Sequence, residues 1–194
     1  MNTNDDGLLA EVKALFAAHD EAGIELLYEH YFDKLCAFAQ SYLKAREPAE
    51  EVVEDVFVRL WSNKNNVLHL QNLPVYLYKA VKNGALNELE KRSRTLPADV
   101  LSDEYPLAAG GASPLEELIL SEMMQSMQVA VDALPPRCRM IFKLLREDGL
   151  KYKEVAEILN ISVNTIDSQM AIAIRRICAA LGIRKGTEAS PKKI

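Results

Sequence analysis

The sequence predicts an all-α protein of two small helical domains joined by a flexible linker, the C-terminal domain being a helix-turn-helix. Apolar residues recur every three or four positions along most of the 194 residues, which is the period of an amphipathic helix. That pattern stops at residues 96–117, where Pro, Gly, Ala, Ser and acidic residues give a composition typical of a linker. The predicted domains are therefore residues 1–95 and 118–183, followed by a disordered tail at 184–194.

Three amphipathic segments predict the N-terminal domain. The first begins at Leu26 and ends at Pro48, which disfavours a continuing helix. The second has charged residues on one side and an apolar face on the other, formed by Val52, Val53, Val56, Phe57, Leu60 and Trp61. Residues 63–73 lack a helical period and are rich in Asn, which predicts a loop, and Pro74 then opens the third helix.

Composition and motif content argue against several classes of protein. No run of 18 apolar residues occurs and the N-terminus is acidic, so we expect a soluble, cytoplasmic protein with no direct membrane insertion. The cysteines lie far apart among apolar helix positions, which favours reduced core thiols at Cys36, Cys138 and Cys178. No HxxxH pair, phosphate-binding Gly loop or nucleophile motif appears, so we expect no metal, no cofactor and no enzymatic activity.

Charge is divided unevenly along the chain, although the net charge is −5. Residues 132–194 carry 12 Lys and Arg against 7 Asp and Glu, whereas residues 1–131 carry 11 against 21. A second basic stretch, from Lys79 to Arg94, interrupts the acidic part. The basic C-terminal domain and this stretch both favour contact with nucleic acid phosphates.

Residues 152–176 carry the features of a DNA-binding helix-turn-helix. Ala156 lets a second helix cross closely, Asn160 suits a left-handed turn, and Ile161 fills the corner. Ser162 is expected to cap the second helix, which is predicted to bury Val163, Ile166, Met170 and Ile174. The residues turned outward toward base edges are Asn164, Thr165, Asp167, Ser168 and Gln169. Upstream, a stripe expected to be core comprises Leu120, Met123, Met124, Met127 and Val131.

Three motifs give the chain a resemblance to a known family. They are AEEVVEDVFVRLW at 49–61, NLPVYLYKAVKNGALNELEKRSR at 72–94, and LPPRCRMIFKLLREDGLKYKEVAEILNISVNTIDSQMAIAIRRI at 134–177. In order and spacing they resemble an extracytoplasmic-function sigma factor of bacterial RNA polymerase. The resemblance implies a transcription initiation factor that directs core polymerase to promoters. It also implies an anti-sigma factor as a partner.

The resemblance assigns roles to residues of the N-terminal domain. The expected partner is core RNA polymerase, through its β′ and β subunits. The helix that contains the first motif would dock on the β′ coiled coil, with Glu51, Asp55, Phe57, Arg59, Leu60 and Trp61 as its contact residues. The alternative interpretation is that the apolar residues Val56, Phe57, Leu60 and Trp61 simply belong to the core. The following loop and helix would hold minus-10 promoter DNA through Asn65, Asn66, His69, Lys79, Lys82, Asn83, Asn87, Lys91, Arg92 and Arg94.

The second helix of the helix-turn-helix would read the minus-35 element, through Ser162, Asn164, Thr165, Asp167, Ser168, Gln169, Arg175 and Arg176. The family pattern TVKSRLHRAR is rich in basic residues here, whereas this chain places Asp167, Gln169, Met170 and Ala173 in the segment. We therefore expect weak binding by this helix alone, with Arg175 and Arg176 supplying charge alongside Arg137, Arg139, Lys151 and Lys153.

Two other functions remain open from the sequence. A stand-alone helix-turn-helix regulator would bind DNA without polymerase, but it gives no reason for the motif at 49–61. A sigma-like protein that binds polymerase without reading promoters would fit the poorly basic recognition helix.

Overall fold

The structure is a computed structural model that describes residues 3–18, 21–63, 67–95 and 116–183. The ordered elements within these ranges are helical. They are α1 Thr3–Ala17, α2 Ala22–Leu43, α3 Arg46–Ser62, α4 Leu73–Thr95, α5 Glu116–Asp132, α6 Pro136–Arg146, α7 Tyr152–Leu159 and α8 Val163–Ala180. The all-α expectation is thus confirmed, and none of the described helices is long and apolar enough to cross a bilayer. Most of the predicted linker and all of the predicted tail lie outside the described residues.

The N-terminal unit is a bundle in which α2, α3 and α4 pack on one another and α1 packs on α2. The predicted stripe of α3 is its buried face, since Val53 is fully buried and Val56, Phe57 and Leu60 are at most 5% exposed. The close approach of α3 and α4 depends on Gly84, because a Cβ there would lie 2.7 Å from Val52 Cγ1. The expected helix after Pro74 begins one residue earlier, at Leu73.

Two side chains of the third helix depart from the expected stripe. Leu86 and Leu89 were placed among the apolar positions that follow Pro74, yet they are 46% and 37% exposed. By contrast Leu77, Tyr78 and Val81 are buried. The buried apolar side of α4 therefore lies mainly in its first half, while Asn87, Glu88 and Lys91 of the second half line a cleft beside the charged face of α3.

The C-terminal unit packs α5, α6 and α7 around the long helix α8. Its core includes Ile141, Val155, Ile158 and Ile166, all fully buried. The Met-rich stripe of α5 is not core as predicted: Met123, Met124 and Met127 are 68%, 64% and 37% exposed, whereas Val131 is buried. Among the described side chains of α5, the buried ones, Ala130 and Val131, lie toward its C-terminal end. The side chain of Leu120, also predicted to be core, lies outside the described part of the helix.

The two units are in direct contact. Helix α4 packs against α7, and α2 touches α6. Buried apolar side chains of both units belong to one hydrophobic cluster. At its border, Phe38 lies edge-to-face against Tyr78 with ring centroids 5.1 Å apart, and Tyr42 Oη lies 3.8 Å from Met140 Sδ.

Candidate nucleic-acid interface

The turn between α7 and α8 has the predicted geometry. Asn160 adopts the left-handed conformation at φ 55° and ψ 51°, and its amide donates to the Ala156 carbonyl. The Ile161 amide bonds to the same carbonyl at 3.0 Å, which closes the turn tightly. Ser162 then caps α8, since its Oγ accepts the Thr165 amide at 3.1 Å. Each of these local choices was legible in the sequence.

Hydroxyl groups near the start of α8 serve the helix itself. Thr165 is half-buried and its Oγ1 lies 2.8 Å from Ser162 Oγ, so both hydroxyls take part in the cap. Ser168 Oγ donates to the Asn164 carbonyl at 2.9 Å. The side chains of Asn164 and Asp167 are exposed, and Gln169 is half-buried. The amides and the carboxylate are therefore the groups in this segment best placed to meet base edges.

Three positions of α8 face differently from the prediction. Val163, expected to be buried, is 41% exposed because it lies in the first turn, beyond the supporting helices. Met170 and Ala173 are buried at 2% and 0%, so they cannot stand for basic residues lost from a DNA-facing surface. The exposed positions in that stretch are Ala171 and Ile172, the latter 37% exposed. The exposed side of α8 is thus neutral or acidic until Arg175.

Basic side chains surround this helix at its edges. Arg175 and Arg176 are exposed on the last turns of α8, and Arg137, Lys151 and Lys153 are exposed on neighbouring segments. Arg139 differs, because it is half-buried and its Nη2 donates to the Leu134 carbonyl at 3.2 Å. Arg139 therefore fixes the turn before α6, and the remaining cations form an exposed basic rim around α8.

The basic residues of α4 fall into two groups. In the second half of the helix, Arg92 bonds to Glu88 at 3.0 Å, Lys91 lies 3.7 Å from the same carboxylate, and Arg94 pairs with Glu90. These pairs are partly or largely exposed, so they leave the cations accessible to phosphate at little cost. Asn83 and Asn87 are exposed on the same helix.

Lys79 and Lys82, in the first half of α4, are directed at the C-terminal unit instead. Lys79 Nζ lies 2.8 Å from Glu157 Oε1, and Lys82 Nζ donates to the Ile158 carbonyl at 2.6 Å. Both lysines thus already hold partners on α7. His69 is exposed, and the predicted loop residues Asn65 and Asn66 lie outside the described residues.

The charged side of α3 is exposed and lines a cleft together with Asn87, Glu88 and Lys91 of α4. Glu51, Asp55 and Arg59 are all exposed, and Arg59 pairs with Asp55 at 3.2 Å. Phe57 and Leu60, also predicted to contact a partner, are 5% and 2% exposed and belong to the core. The prediction of direct contact is therefore wrong for these two residues, because a helix cannot offer its core-facing side to a partner.

Two apolar residues of α3, Trp61 and Val58, lie outside its buried face. Trp61 is half-buried and lies edge-to-face against Phe16, with centroids 6.1 Å apart. Val58 is 64% exposed within the charged face and was missed at the sequence level. The helical period could have predicted its exposure, because Val58 lies three residues after Asp55 and seven after Glu51, on the same face of the helix. An apolar side chain there provides a contact point inside a charged surface.

The cysteines have the character of structural thiols. Cys138 is buried and donates to the Gln169 carbonyl at 3.0 Å, tying α6 to α8. Cys36 is half-buried, and burial raises the pKa of its thiol to about 12, assisted by Glu50 and Asp33. Burial also raises the pKa of the Cys138 thiol, so both Cys36 and Cys138 disfavour the reactive thiolate. Cys178 is also half-buried.

Family models match both units of this chain. The model for sigma-70 region 2 matches residues 27–95, and the model for sigma-70 region 4 matches residues 124–177. The extracytoplasmic-function (ECF) RNA polymerase sigma-E factor of Escherichia coli is 27% identical over 159 residues, which cover 78% of this chain and 82% of that protein. The RNA polymerase sigma-H factor of Pseudomonas aeruginosa is 23% identical over 169 residues, covering 84% and 88%.

Two solved structures share the fold. The sigma factor RpoE of Bartonella quintana, in complex with the anti-sigma factor NepR, has a TM-score of 0.61 at 21% identity, covering 83% of this chain and 98% of that one. CnrH, in complex with the cytosolic domain of CnrY, has a TM-score of 0.51 at 16% identity, covering 92% and 97%. At these sequence identities, the two structures show that this chain shares their fold.

Proposed function

Because the chain belongs to the extracytoplasmic-function sigma factors and directs RNA polymerase to promoters, we propose that its two helical units divide this work. The N-terminal unit binds core polymerase and minus-10 DNA, and the C-terminal unit reads minus-35 DNA. The observation that carries the proposal is the pairing, in one chain, of the exposed charged face of α3 with the capped, exposed helix α8. A stand-alone regulator needs only the second of these surfaces.

The minus-35 function rests on the side chains that α8 presents. Asn164 and Gln169 carry amides able to pair with adenine through two hydrogen bonds, and Asp167 can accept from cytosine. The rim cations, with Arg175 and Arg176 nearest, position the unit on phosphates. Because the reading face itself lacks cations, affinity depends on tethering to polymerase and to the N-terminal unit. Its promoter preference is then set by amide and carboxylate contacts.

The polymerase-binding surface is the exposed face of α3. Glu51, Asp55 and Arg59 offer charge in both signs, and Val58 offers an apolar contact among them. Such a mixture suits docking onto a charged helical partner such as the β′ coiled coil. Phe57 and Leu60 support this face from the core side of α3, whereas the half-buried Trp61 remains a proposed contact.

The minus-10 surface is proposed for the exposed side of α4 and the loop before it. Asn83, Asn87, Lys91, Arg92 and Arg94 follow one helix, so phosphates of a single strand can meet them in succession. His69 stands exposed at the start of this surface. We expect the chain to work in the cytoplasm. An anti-sigma factor there would compete with polymerase and DNA for the proposed surfaces of α3 and α4.

Charge reversal on α3 tests the polymerase part of the proposal. Glu51→Lys with Asp55→Lys should abolish co-purification with core polymerase, while Glu29→Lys, an exposed reversal on α2, should retain it. Circular dichroism checks that each variant is folded. Retention of core polymerase by the double variant would refute the α3 assignment.

A further inference from the structure

The first helix of the chain is bonded to the segment that joins α3 to α4. Lys13, on α1, donates from its Nζ to the Leu70 carbonyl at 2.6 Å, although the two residues lie 57 positions apart. The Lys13 side chain is half-buried, so water competes less for this contact than at an open surface. A bond from an ammonium to a carbonyl is charge-assisted and is stronger than one between neutral groups. Helix α1 therefore holds the chain just before α4 begins.

Leu70 is the last residue of a tight turn that carries His69. The Leu70 amide donates to the Val67 carbonyl at 3.1 Å and so closes the turn. Val67 is 1% exposed, which fixes the first end of the turn in the core, and Leu68 packs partly buried against the same core. His69 is exposed between the two ends. The bond from Lys13 holds the second end.

The position of α1 is itself closely defined. Phe16, one turn after Lys13, is 2% exposed and lies edge-to-face against Trp61 near the end of α3. On its α2 side Phe16 approaches Gly23, where a Cβ would lie 2.5 Å from Phe16 Cδ1. Val12, next to Lys13, is fully buried. Because α1 is packed against both α2 and α3, Lys13 donates its hydrogen bond from a fixed backbone.

We propose that Lys13 is a positioning residue for minus-10 recognition, which holds the turn at 67–70 in the conformation that presents His69 to an unstacked promoter base. The inference rests on the proposed place of His69 in the minus-10 surface. In this role Lys13 does not touch DNA. Its bond removes conformational freedom from the turn before DNA arrives, so less entropy is lost on binding. A turn held in this way also adapts less readily to a wrong base, which sharpens the choice between bases.

Two matched substitutions test the proposal in the full-length chain. Lys13→Met keeps an apolar stem but removes the ammonium, and Lys44→Met makes the same change at an exposed lysine that follows α2. Lys13 lies at the edge of the core, so Lys13→Met should remain folded, as circular dichroism can check. Hydrogen exchange of the Leu70 amide, measured in the free chain, reports how firmly the turn is closed.

Base preference is measured with each variant assembled with core RNA polymerase. The probe is single-stranded DNA with a randomised segment, and sequencing of the bound fraction gives the preference at each position without a known promoter. His69→Ala identifies the position that depends on the turn. The salt dependence of affinity is measured on the same DNA, because it counts phosphate contacts.

The expected result has three parts. Lys13→Met should speed exchange of the Leu70 amide about tenfold relative to Lys44→Met, since one supporting hydrogen bond is lost. It should also reduce the preference at the position that His69→Ala identifies, by about threefold, while its salt dependence matches that of Lys44→Met. Lys13→Arg keeps a cationic donor and should retain most of the preference.

The contrary results are distinct from one another. If His69→Ala loses base preference but Lys13→Met keeps it, the positioning role is refuted and the minus-10 surface stands. Equal weakening on all sequences with a flatter salt dependence in Lys13→Met would make Lys13 a phosphate contact and also refute positioning. A loss in Lys13→Arg as large as that in Lys13→Met would contradict a role for the donated hydrogen bond. If His69→Ala leaves base preference unchanged, the minus-10 role of this turn fails and the inference fails with it.

Discussion

Asn72 and Glu154 join the first turns of two helices from different halves of the chain. Asn72 Oδ1 accepts the Val75 amide at 3.0 Å and so caps α4, while its Nδ2 donates to Glu154 Oε1 at 2.8 Å. The other oxygen of that carboxylate accepts the Lys151 amide at 2.7 Å and so caps α7. Two side chains therefore satisfy the exposed amides of two helices and also connect the two units.

Replacement of Asn72 separates these two tasks. Asn72→Ala removes the cap and the contact, and should lower the free energy of unfolding by about 1 kcal/mol in urea denaturation. Asn72→Asp keeps the capping oxygen but sets a carboxylate against Glu154, so α4 should remain stable while the two units separate. Gln71→Ala, at the exposed neighbouring position, is the control. Equal stability of Asn72→Ala and this control would contradict the capping role.

The close contact between Gly84 and Val52 can be tested with a destabilising substitution and a second one that compensates for it. In most helices Gly→Ala is stabilising, but here the added Cβ would meet Val52 Cγ1 at 2.7 Å. Gly84→Ala should therefore destabilise the N-terminal unit by about 1–3 kcal/mol. Val52→Ala in the same chain should recover part of that loss, because it removes the clashing methyl group. A stabilising Gly84→Ala would show that α3 and α4 are farther apart.

Asp148 makes stability depend on pH. Burial raises the pKa of its carboxyl from 3.8 to about 6, against the lowering effects of the Tyr78 hydroxyl, Lys34 on α2 and Lys143 on α6, while Glu147 raises it further. Because the folded-state pKa is the higher one, the native chain binds an extra proton between these two values. The stability contributed by that proton is complete below about pH 4 and is lost as the pH rises through 6.

The variant Asp148→Asn tests this dependence of stability on pH. The amide oxygen can still accept from Tyr78 but carries no charge. The variant should therefore exceed the unmodified chain in stability at pH 8, by about 1–3 kcal/mol, and the advantage should shrink toward pH 4. Thermal denaturation across this range checks the trend. An advantage that is independent of pH would show that Asp148 does not titrate near 6.

In the proposed minus-35 contact, the carboxylate of Asp167 would oppose binding of α8 to duplex DNA. Asp167→Lys should tighten binding to mixed-sequence duplex DNA and steepen its dependence on salt, since one repulsive charge becomes one phosphate contact. Glu147→Lys changes the net charge equally on another side of the unit. Equal gains from both substitutions would mean that α8 does not lie in the groove.

Local signals made much of the fold predictable, and their limits are physical. Asn160 and Ser162 define their turn through their own backbone conformation and cap, so the sequence predicts them directly. Exposure of Met123 and Val163 depends on where neighbouring helices end, which helical periodicity does not encode. The same periodicity places Val58 on the exposed face, although the predicted α3 contacts omitted it and included the buried Phe57 and Leu60.

The contact between the units was beyond sequence reasoning for a different reason. Lys79 and Lys82 have the pattern of an ordinary solvated basic face, and Glu157 that of an ordinary acidic helix position. Their pairing across residues far apart in the chain arises only when two separately folded units dock. No local propensity reports such docking.

Promoter-dependent transcription is the most direct test of the account. Core RNA polymerase with the full-length chain, incubated with fragmented bacterial genomic DNA, should yield transcripts whose start sites share upstream minus-10 and minus-35 elements. Core enzyme alone should not yield them. Arg175→Ala with Arg176→Ala should reduce these transcripts, whereas Arg146→Ala, an exposed change on α6, should not. Failure of the chain to form a complex with core polymerase, or start sites without shared elements, would contradict the central claim.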